Sequence, residues 1–359
     1  MNSAIRRRKL GQELELKIMR ESQLNEDEDY SAGASGEMAG ERQGEAGGTA
    51  PGPVPETIRM LAPENPERTR IDLLLSRMVP QFSRARLQEW LEAGRVSVDG
   101  AIAGAKTRVK GGELLEIKVA PDPEETAFSA ENIPFDIVFE DATLIVLNKP
   151  AGLVVHPAAG NWSGTALNGL LHHAPQLAGV PRAGIVHRLD KETTGLMVVA
   201  KTMAAQTHLV RQLQAHTVKR NYLAVVAGTV RAGGTVSAPI GRHPSNRMQM
   251  AILRDEDAGA KPAVTHYTPL ALYERGASLV ECRLETGRTH QIRVHMRHIG
   301  HALVGDQVYG TPPSRGWFGR QALHAKKLAL THPKSGREVT FEAAPPADMA
   351  ELIQQLEGA

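Results

Sequence analysis

The densest set of reactive side chains lies in the segment GIVHRLDKETTGLMVVAK, residues 184–201. Apolar runs at Ile185–Val186 and Leu196–Ala200 predict a strand, a tight loop and a second strand. A loop between two strands can hold a carboxylate rigidly, which a catalytic group needs. Asp190 lies in this loop beside Arg188 and a lysine, and cations favour the charged, nucleophilic form of a carboxylate. The residues alone leave two possibilities open: a reactive carboxylate or, slightly favoured, a turn residue that accepts hydrogen bonds from backbone amides.

A second cluster, ETGRTHQIRVHMRH, covers Glu285–His298. Thr289 is a suitable N-cap, and the apolar spacing after it predicts a helix over about 289–299. On that helix Arg293 and Arg297 lie one turn apart, so one guanidinium could pair with a distant carboxylate while the other binds phosphate. A basic, solvated helix face explains the same residues without any chemistry, and the pattern does not exclude it.

Tyr222 is the aromatic candidate for contact with a base. It opens the apolar strand predicted in KRNYLAVVAG, residues 219–228, shortly after two cations. A tyrosine at the start of a buried strand commonly belongs to the core. Its ring can also stack on a nucleobase while its hydroxyl contacts a reacting group. Both interpretations stay open at this point.

The spacing of histidines and glycines does not support metal or nucleotide-cofactor chemistry. The chain has 14 histidines but no HExxH motif. His290 and His295 are five residues apart, which separates them by about 140° around a helix. Neither a phosphate-binding P-loop motif nor a dinucleotide fingerprint occurs, so ATP and NAD are not implied. We therefore expect no metal and no other cofactor.

The net charge of +2 conceals an uneven distribution of charged residues. Residues 1–58 carry a net charge of −4, and the remaining 301 residues carry +6. An acidic tail thus masks a moderately basic body, which is typical of nucleic-acid-binding proteins. Aromatic residues make up only 4%, so a binding surface of many stacked rings is not expected.

Cysteine content and hydropathy indicate a compartment. The single cysteine, Cys282, excludes an internal disulfide and a cysteine-based zinc site, and a small buried thiol suits a reducing compartment. No apolar stretch approaches the roughly 20 residues that cross a bilayer. The basic residues at the N-terminus lack the apolar run of a secretory signal. We expect a cytoplasmic protein that contacts no membrane.

The order of elements predicts two folded domains after an N-terminal tail. Residues 22–58 are rich in Gly, Ala, Glu, Ser and Pro without apolar periodicity, which is typical of disorder, and residues 4–20 could form a short helix. We interpret residues 1–58 together as a disordered acidic tail. Residues 66–120 are expected to form a small unit of two helices and short strands, in which Ser83 caps the second helix, Gly94 ends it and Asp99–Gly100 forms a turn. The polar, proline-bearing stretch 121–131 is a linker. From 132 to 357, short β-rich runs, with Leu153–Val155 among the predicted strands, outnumber helices without strict alternation. This pattern predicts an α+β domain with a mixed, mostly antiparallel sheet flanked by helices.

Five ordered blocks of the sequence closely resemble the RluA family of pseudouridine synthases. HRLDKETTGLMVVAK is the most specific, and the others are NKPAGLVVHPA (148–158), KRNYLAVVAG (219–228), LETGRTHQIRVHMRHIGHALVGDQVYG (284–310) and RQALHA (320–325). The segment 68–119 resembles an S4 RNA-binding domain, through RIDLLL, SRARLQEWLEAGRVSVDG and KGGELLEI. HPSNRMQMA (243–251) and KPAVTHY (261–267) are most similar to the D-type members, which modify a stem-loop of large-subunit ribosomal RNA.

The resemblance implies a role for five residues of the larger domain. Asp190 corresponds to the aspartate that starts the reaction on the target uridine, and Arg293 to the basic residue that pairs with it. Tyr222 corresponds to the tyrosine that stacks on the base, and Leu284 to a residue beside the pocket. Arg188 corresponds to an arginine that occupies the space left by the flipped base. In the S4-like unit, the implied RNA-contacting residues are Arg68, Arg84, Arg86 and Arg95.

The reaction implied by the resemblance needs no cofactor. Isomerisation of uridine breaks a C–N bond, turns the base and forms a C–C bond, with no gain of atoms or electrons. Asp190 could add to the sugar, add to the uracil ring or remove a ribose proton, and the sequence does not choose among these steps. The implied partner is large-subunit ribosomal RNA or a pre-ribosomal subunit, bound by a monomer, and the target uridines are not fixed by the sequence.

Two other functions fit part of the sequence. A non-catalytic assembly factor that binds ribosomal RNA would use the S4-like unit and the basic helix, but it has no need of Asp190, Tyr222 and Arg293 together. A glycoside hydrolase would pair Asp190 with Glu192. Two carboxylates that close in one loop rarely flank a glycosidic bond at about 5–9.5 Å. The pseudouridine synthase hypothesis accounts for more of the chain than either alternative.

Overall fold

The computed structural model describes the chain from Thr57 onward, apart from short gaps. The described residues are 57–64, 68–120, 127–158, 160–246 and 249–358. Their contacts divide them into two compact units, with the boundary between residues 126 and 127. The predicted tail up to residue 56, the predicted start of the small unit at residue 66 and residues 121–126 of the predicted linker lie outside the described residues.

The small unit packs two helices against a four-stranded sheet. Its elements are β1 (Thr57–Leu61), β2 (Thr69–Arg70), α1 (Ile71–Met78), α2 (Arg84–Glu92), β3 (Val96–Val98), β4 (Ala101–Ile102), β5 (Arg108–Val109) and β6 (Leu114–Lys118). The sheet order is β1-β6-β3-β4, and β2 pairs with β5. Because β1 pairs with β6 along its whole length, the unit includes residues before position 66. β1 directs only Ile58 and Met60 toward the core, too few apolar residues to give a periodic signal.

Caps and turns in the small unit act as the sequence predicts. The Ser83 hydroxyl accepts a hydrogen bond from the Arg86 amide at 3.3 Å, at the N-terminus of α2. Gly94 adopts a left-handed φ of +67° beyond the end of that helix. Asp99 and Gly100 turn β3 into β4. These local devices orient the apolar faces of both helices toward the sheet.

The larger unit is built around a nine-stranded sheet. Its elements are β7 (Asp136–Glu140), β8 (Leu144–Lys149), α3 (Ala166–His173), β9 (Thr194–Ala200), α4 (Met203–Gln214), β10 (Lys219–Ala227), β11 (Gly234–Ser237), β12 (Ile240–Arg242), β13 (Met250–Ile252), β14 (Val264–Tyr273), β15 (Ala277–Leu284), α5 (Gln291–His298), α6 (Pro312–Arg315), β16 (Leu323–Thr331), β17 (Glu338–Glu342) and α7 (Ala347–Glu357). The sheet order is β11-β14-β15-β10-β16-β9-β8-β7, and β17 also pairs with β16. Its strand pairs are antiparallel except β9 with β16. The predicted α+β fold with a mixed, mostly antiparallel sheet is confirmed.

Alternation along the central strands divides the core between the two faces of the sheet. On β8, Ile145 packs in the cluster that contains α3, whereas Val146 packs in the one that contains α4. On β10, Tyr222 belongs to the cluster with α5 and Leu223 to the cluster with α7. Leu189, from the reactive loop, joins the α5 cluster. The loop that carries Asp190 therefore lies on the α5 side of the sheet.

Two predicted strands of the larger unit are wrong. Ile185 makes only an isolated bridge to Val199, so no regular strand precedes the reactive loop. The run Leu153–Val155 is also irregular, because its last two carbonyls accept hydrogen bonds from the first amides of α3 at 2.8 and 3.1 Å. A short apolar run can fill a buried position without a strand partner, and alternation alone does not reveal this.

The burial of the cysteine agrees with the sequence analysis. Cys282 is fully buried in β15, and burial raises the pKa of its thiol to about 12. Among the described residues, no helix is both long and apolar enough to cross a lipid bilayer.

Candidate active site

Two buried cations hold the backbone of the reactive loop, residues 187–193. The Nζ of Lys149, at the end of β8, donates to the carbonyl of Lys191 at 2.9 Å. The Nη1 of Arg320, shortly before β16, donates to the carbonyl of Glu192 at 3.0 Å. The loop is therefore fixed by donors from the end of β8 and from the segment before β16, and not only by the strand β9 that follows it.

All the hydrogen bonds of the Lys149 ammonium go to backbone carbonyls. Its ammonium also donates to the carbonyls of Pro150 and Leu153, each at 2.8 Å. Burial lowers the pKa of Lys149 to about 8, although the carboxylates of Asp190 and Glu192 act in the opposite direction. Three carbonyl acceptors use all three N–H donors of the ammonium. This cation is consequently engaged in holding the loop.

Gly184 precedes the loop at a position that excludes a side chain. Its φ is +76°, and a Cβ atom there would overlap the carbonyl oxygen of Ala200. We expect Gly184→Ala to lower the free energy of unfolding by at least about 3 kcal/mol, because strain and overlap act together. Gly276→Ala is the matched control, since Gly276 has a φ of +73° but open space around a Cβ. That variant should lose only about 1–2 kcal/mol. Urea unfolding measures both losses, and equal values would contradict the overlap.

A buried arginine links the loop carboxylate to a second carboxylate. The Nη1 of Arg293 donates to Asp190 Oδ2 at 3.0 Å. The Nε and Nη2 of the same guanidinium donate to the two oxygens of Asp306 at 2.7 and 3.0 Å. Asp306 is fully buried and also accepts the amides of Val308 and Tyr309, each at 2.9 Å. Asp306 therefore fixes the guanidinium, and the guanidinium orients Asp190.

The surroundings of Asp190 favour its charged form. Burial acts to raise the pKa of this carboxyl, but three positive charges together outweigh burial and lower it: His290, which is protonated in the acid range where a carboxyl titrates, Arg293 and Arg188. About a fifth of the side chain, 18%, remains exposed. Asp190 is thus an ionised carboxylate that is held through Oδ2 and still accessible from outside.

His290 lies beside the other oxygen of this carboxylate. Its Nε2 is 4.0 Å from Asp190 Oδ1, and its Nδ1 is 2.8 Å from the Tyr309 hydroxyl. The same hydroxyl accepts the Met250 amide at 2.8 Å, and the Arg293 guanidinium lies 5.0 Å from the centre of the Tyr309 ring. Burial lowers the pKa of His290 more than Asp190 raises it, so this imidazole is neutral at pH 7.

The helix that carries Arg293 begins differently from the prediction. The residue before α5 is His290 rather than Thr289, with left-handed backbone angles of φ +57° and ψ +18°. The side chain of Gln291 accepts the Arg288 amide at 2.9 Å, which holds the preceding segment in a turn and removes Thr289 from the capping position. Such backbone is sparsely populated for a residue with a side chain, and it concentrates at functional sites.

The structure brings Tyr222 and Leu284 to the apolar side of the same loop. Both are buried and pack in one cluster with Leu189, the neighbour of Asp190. Burial raises the pKa of the Tyr222 hydroxyl, and the charge of Asp190 raises it further. Arg188 is exposed, and its charge helps to lower the pKa of Asp190. Tyr222 and Leu284 thus lie on the apolar side of the loop that carries the carboxylate, and Arg188 lies on its exposed side.

Comparison with known proteins decides the family of this chain. The family model for RNA pseudouridylate synthase matches residues 143–298, and the S4 domain model matches residues 69–115. Ribosomal large subunit pseudouridine synthase D from Nitrosomonas europaea is 52% identical over 307 residues, which cover 84% of this chain and 88% of that protein. The chain belongs to the RNA pseudouridine synthase family.

Two further relatives of this pseudouridine synthase carry the same name. The protein from Neisseria meningitidis serogroup A is 52% identical, over 80% of this chain and 78% of its own length. The protein from Escherichia coli K12 is 51% identical, over 81% of this chain and 91% of its own length. Membership of this family of enzymes favours catalysis over the alternative of a purely RNA-binding assembly factor.

The S4 domain of this pseudouridine synthase uses its four predicted arginines in two ways. Arg68, Arg84 and Arg95 are exposed. Arg86 is half-buried, its Nη2 donates to a backbone carbonyl at 3.0 Å, and its guanidinium lies 5.2 Å from the centre of the Trp90 ring. Arg84 also pairs with the buried carboxylate of Asp72 at 3.5 Å. Arg68 and Arg95 therefore present their charge to solvent, whereas Arg84 and Arg86 are engaged within the domain.

Several residues that complete the synthase site escaped sequence reasoning. They are Lys149, His290, Tyr309, Asp306 and Arg320. Each lies inside one of the family-like blocks, and this membership was the one available signal. Their importance comes from burial and from pairing with residues far away in the sequence, which a local pattern does not contain.

The histidines near the loop are engaged in hydrogen bonds with the protein. His187 Nε2 accepts the Val198 amide at 3.1 Å, and His324 Nδ1 lies 2.9 Å from the Thr194 hydroxyl. Within the part of the chain that the structure describes, no three side chains of His, Cys, Asp or Glu are grouped so that they could hold a metal ion.

His187 makes the stability of this synthase depend on pH. Burial lowers the pKa of His187 from 6.5 to about 3. Below pH 6.5 the unfolded chain therefore binds a proton at this histidine, whereas the folded protein does not. The contribution of His187 to the free energy of unfolding is complete above pH 6.5 and declines as the pH falls toward 3. We expect His187→Gln to reduce the slope of unfolding free energy against pH by about 1.4 kcal/mol per pH unit in this window. Urea unfolding between pH 4 and 8 measures it, and identical slopes below pH 6 would contradict it.

Proposed function

We propose that this pseudouridine synthase isomerises specific uridines in the RNA of the large ribosomal subunit. The observation that carries the proposal is the ionised, half-enclosed carboxylate of Asp190, held by Arg293. The substrate assignment is supported by relatives named as large subunit enzymes, which are 51–52% identical over most of their length. The S4 domain and the basic body agree with an RNA substrate.

Asp190 starts the reaction in this proposal. The reaction breaks the bond between N1 of uracil and C1′ of ribose, turns the base and joins C5 to C1′. One proton leaves C5 and one arrives at N1, so atoms and electrons balance without a redox partner. Arg293 occupies Oδ2, and Oδ1 is the oxygen that faces the substrate. Charge and orientation are thereby set before the substrate binds.

The target uridine must leave its stack before Asp190 can reach it. Extrusion of a base costs a few kcal/mol. Stacking on the ring of Tyr222 returns roughly 1–3 kcal/mol, and Leu284 supplies an apolar neighbour. Arg188 fills the space that the base leaves, which its exposed position in the loop permits. These three residues therefore offset much of the free energy that extrusion of the base costs.

The remaining contacts involve the RNA backbone. Arg68, Arg84 and Arg95 bind phosphates from the S4 domain, and Arg86 supports that surface from within. Recognition of folded RNA by shape and backbone is consistent with so few aromatic residues. The protein acts as a monomer in the cytoplasm, on free ribosomal RNA or on a pre-ribosomal subunit.

A map of pseudouridines in large-subunit ribosomal RNA tests the function. RNA from a strain that lacks the protein is compared with RNA from the same strain carrying the wild-type gene. We expect a small set of positions to be uridine in the first sample and pseudouridine in the second. Identical maps would remove the proposed substrate. Release of tritium from C5-labelled uridine in transcripts of large-subunit RNA then tests whether the purified protein performs the reaction itself.

A further inference from the structure

The gap between His290 and Asp190 has the size of one oxygen atom. The distance from Nε2 to Oδ1 is 4.0 Å, too long for a direct hydrogen bond. An oxygen placed about 2.8 Å from both atoms would make its two hydrogen bonds at an angle of about 90°. The geometry therefore accommodates one substrate oxygen between the imidazole and the carboxylate.

The hydrogen on the imidazole can be assigned from its neighbours. The Tyr309 hydroxyl oxygen already accepts the Met250 amide, so its own hydrogen is free to be donated to His290 Nδ1 at 2.8 Å. A neutral imidazole that accepts at Nδ1 carries its hydrogen on Nε2. The nearby carboxylate favours the same form, because it attracts an N–H and repels a lone pair. Nε2 is consequently a donor that faces Asp190.

An oxygen in this gap must accept a hydrogen bond from Nε2–H and donate one to the carboxylate. Within an internal uridine of RNA, the two uracil carbonyls and the ring oxygen only accept, and the 3′ and 5′ oxygens are esterified. The 2′-hydroxyl is the one group that does both. We propose that His290 and Asp190 together bind the 2′-hydroxyl of the target uridine, which makes His290 a catalytic-site determinant of RNA over DNA. The inference rests on the function proposed above.

The backbone of His290 supports this role. A left-handed residue directly before α5 projects the imidazole toward the loop, and 21% of its side chain remains exposed. The ring is then fixed by Tyr309, whose own ring packs edge to face against it with centroids 5.5 Å apart. A strained backbone and a ring held from behind are both expected where a donor must be placed accurately.

The test combines a change in the enzyme with a change in the substrate. Single-turnover rates are measured on a large-subunit RNA stem-loop with either uridine or 2′-deoxyuridine at the target position, and RNA affinity is measured alongside. The variants are His290→Ala and His290→Asn, because asparagine tolerates left-handed backbone and guards against loss of folding. His298→Ala is the control, since His298 is exposed at the far end of the same helix.

We expect wild type and His298→Ala to react about 100-fold more slowly on the deoxy substrate. Both His290 variants should react about 10- to 100-fold more slowly on the ribose substrate, with RNA affinity within about threefold of wild type. In both His290 variants, the ratio of the rate on the ribose substrate to the rate on the deoxy substrate should be about tenfold smaller than in wild type. The reason is that these variants already lack one of the two partners of the hydroxyl. A merely structural residue would leave that ratio unchanged.

Two results would overturn the inference. One is an equal deoxy penalty in wild type and in a folded His290→Asn variant, which would show that His290 does not contact this hydroxyl. The other is a wild-type enzyme that does not distinguish the two substrates. A wild-type protein that forms no pseudouridine in any large-subunit RNA fails differently, because it removes the proposed function and the inference with it.

Discussion

Asp190→Asn is expected to slow the single-turnover formation of pseudouridine by at least about a thousandfold while the protein stays folded and bound to RNA. The amide keeps the size of the carboxylate but has neither its charge nor its nucleophilic oxygen. Arg293 keeps its two bonds to Asp306 in this variant, so the buried cation is still paired. The loss should therefore appear in the chemical step and not in stability.

Three measurements separate these effects for Asp190→Asn. Tritium release from C5-labelled RNA follows the reaction, fluorescence anisotropy follows RNA binding, and urea unfolding follows stability. Asp255→Asn, in the exposed turn after β13, makes the same chemical change away from the loop and should match wild type in all three. A folded Asp190→Asn enzyme with more than a tenth of wild-type activity would show that Asp190 is not the catalytic carboxylate.

Arg293→Lys should damage both stability and catalysis. A lysine has one compact ammonium and cannot make two parallel bonds to Asp306 and a third to Asp190. Asp306 is fully buried, so its charge would be left poorly paired. Breaking a buried ion pair typically costs about 3–5 kcal/mol, and we expect a loss near the lower end because one positive charge remains. We also expect the reaction to slow at least about a hundredfold, since Asp190 is no longer oriented.

Urea unfolding and single-turnover kinetics together test the Arg293→Lys expectation. Arg275→Lys, at the exposed turn between β14 and β15, is the conservative control and should change neither quantity. A stable Arg293→Lys enzyme with wild-type rates would mean that any cation suffices there. A stable enzyme with slow chemistry would instead separate the orientation of Asp190 from the stability of the domain.

Local signals in the sequence predicted much of the fold. Ser83 and Gly94 mark helix ends by direct backbone chemistry, and both act as expected. The mixed sheet follows from short β-rich runs without strict alternation. Ile185 shows the limit of this reasoning. Its apolar neighbours resemble a strand, but a strand requires a continuous partner that only the tertiary structure can supply.

The site could be predicted only in part, because some of its residues depend on tertiary contacts that a local sequence pattern does not contain. Asp190 and Arg293 could be named from their blocks, and the structure places them in contact. Asp306 could not be singled out, because its function depends on burial beneath a guanidinium and not on its neighbours in sequence. The sequence suggested only one role for His290, that of a metal ligand, and its spacing from His295 argued against that role. Its left-handed backbone lies between Arg288 and Gln291, which are joined by a side-chain hydrogen bond that no propensity scale contains.

The anchoring of the loop by Arg320 has a consequence for how the enzyme folds during its synthesis. Arg320 lies 128 residues beyond the carbonyl of Glu192 that it holds. The strand β9, which follows the loop, also pairs with the later strand β16, so this pairing requires that β16 has been synthesised. During translation Asp190 emerges long before either contact can form. The nascent chain therefore carries its carboxylate on a half-anchored loop, and activity appears only when synthesis has passed β16.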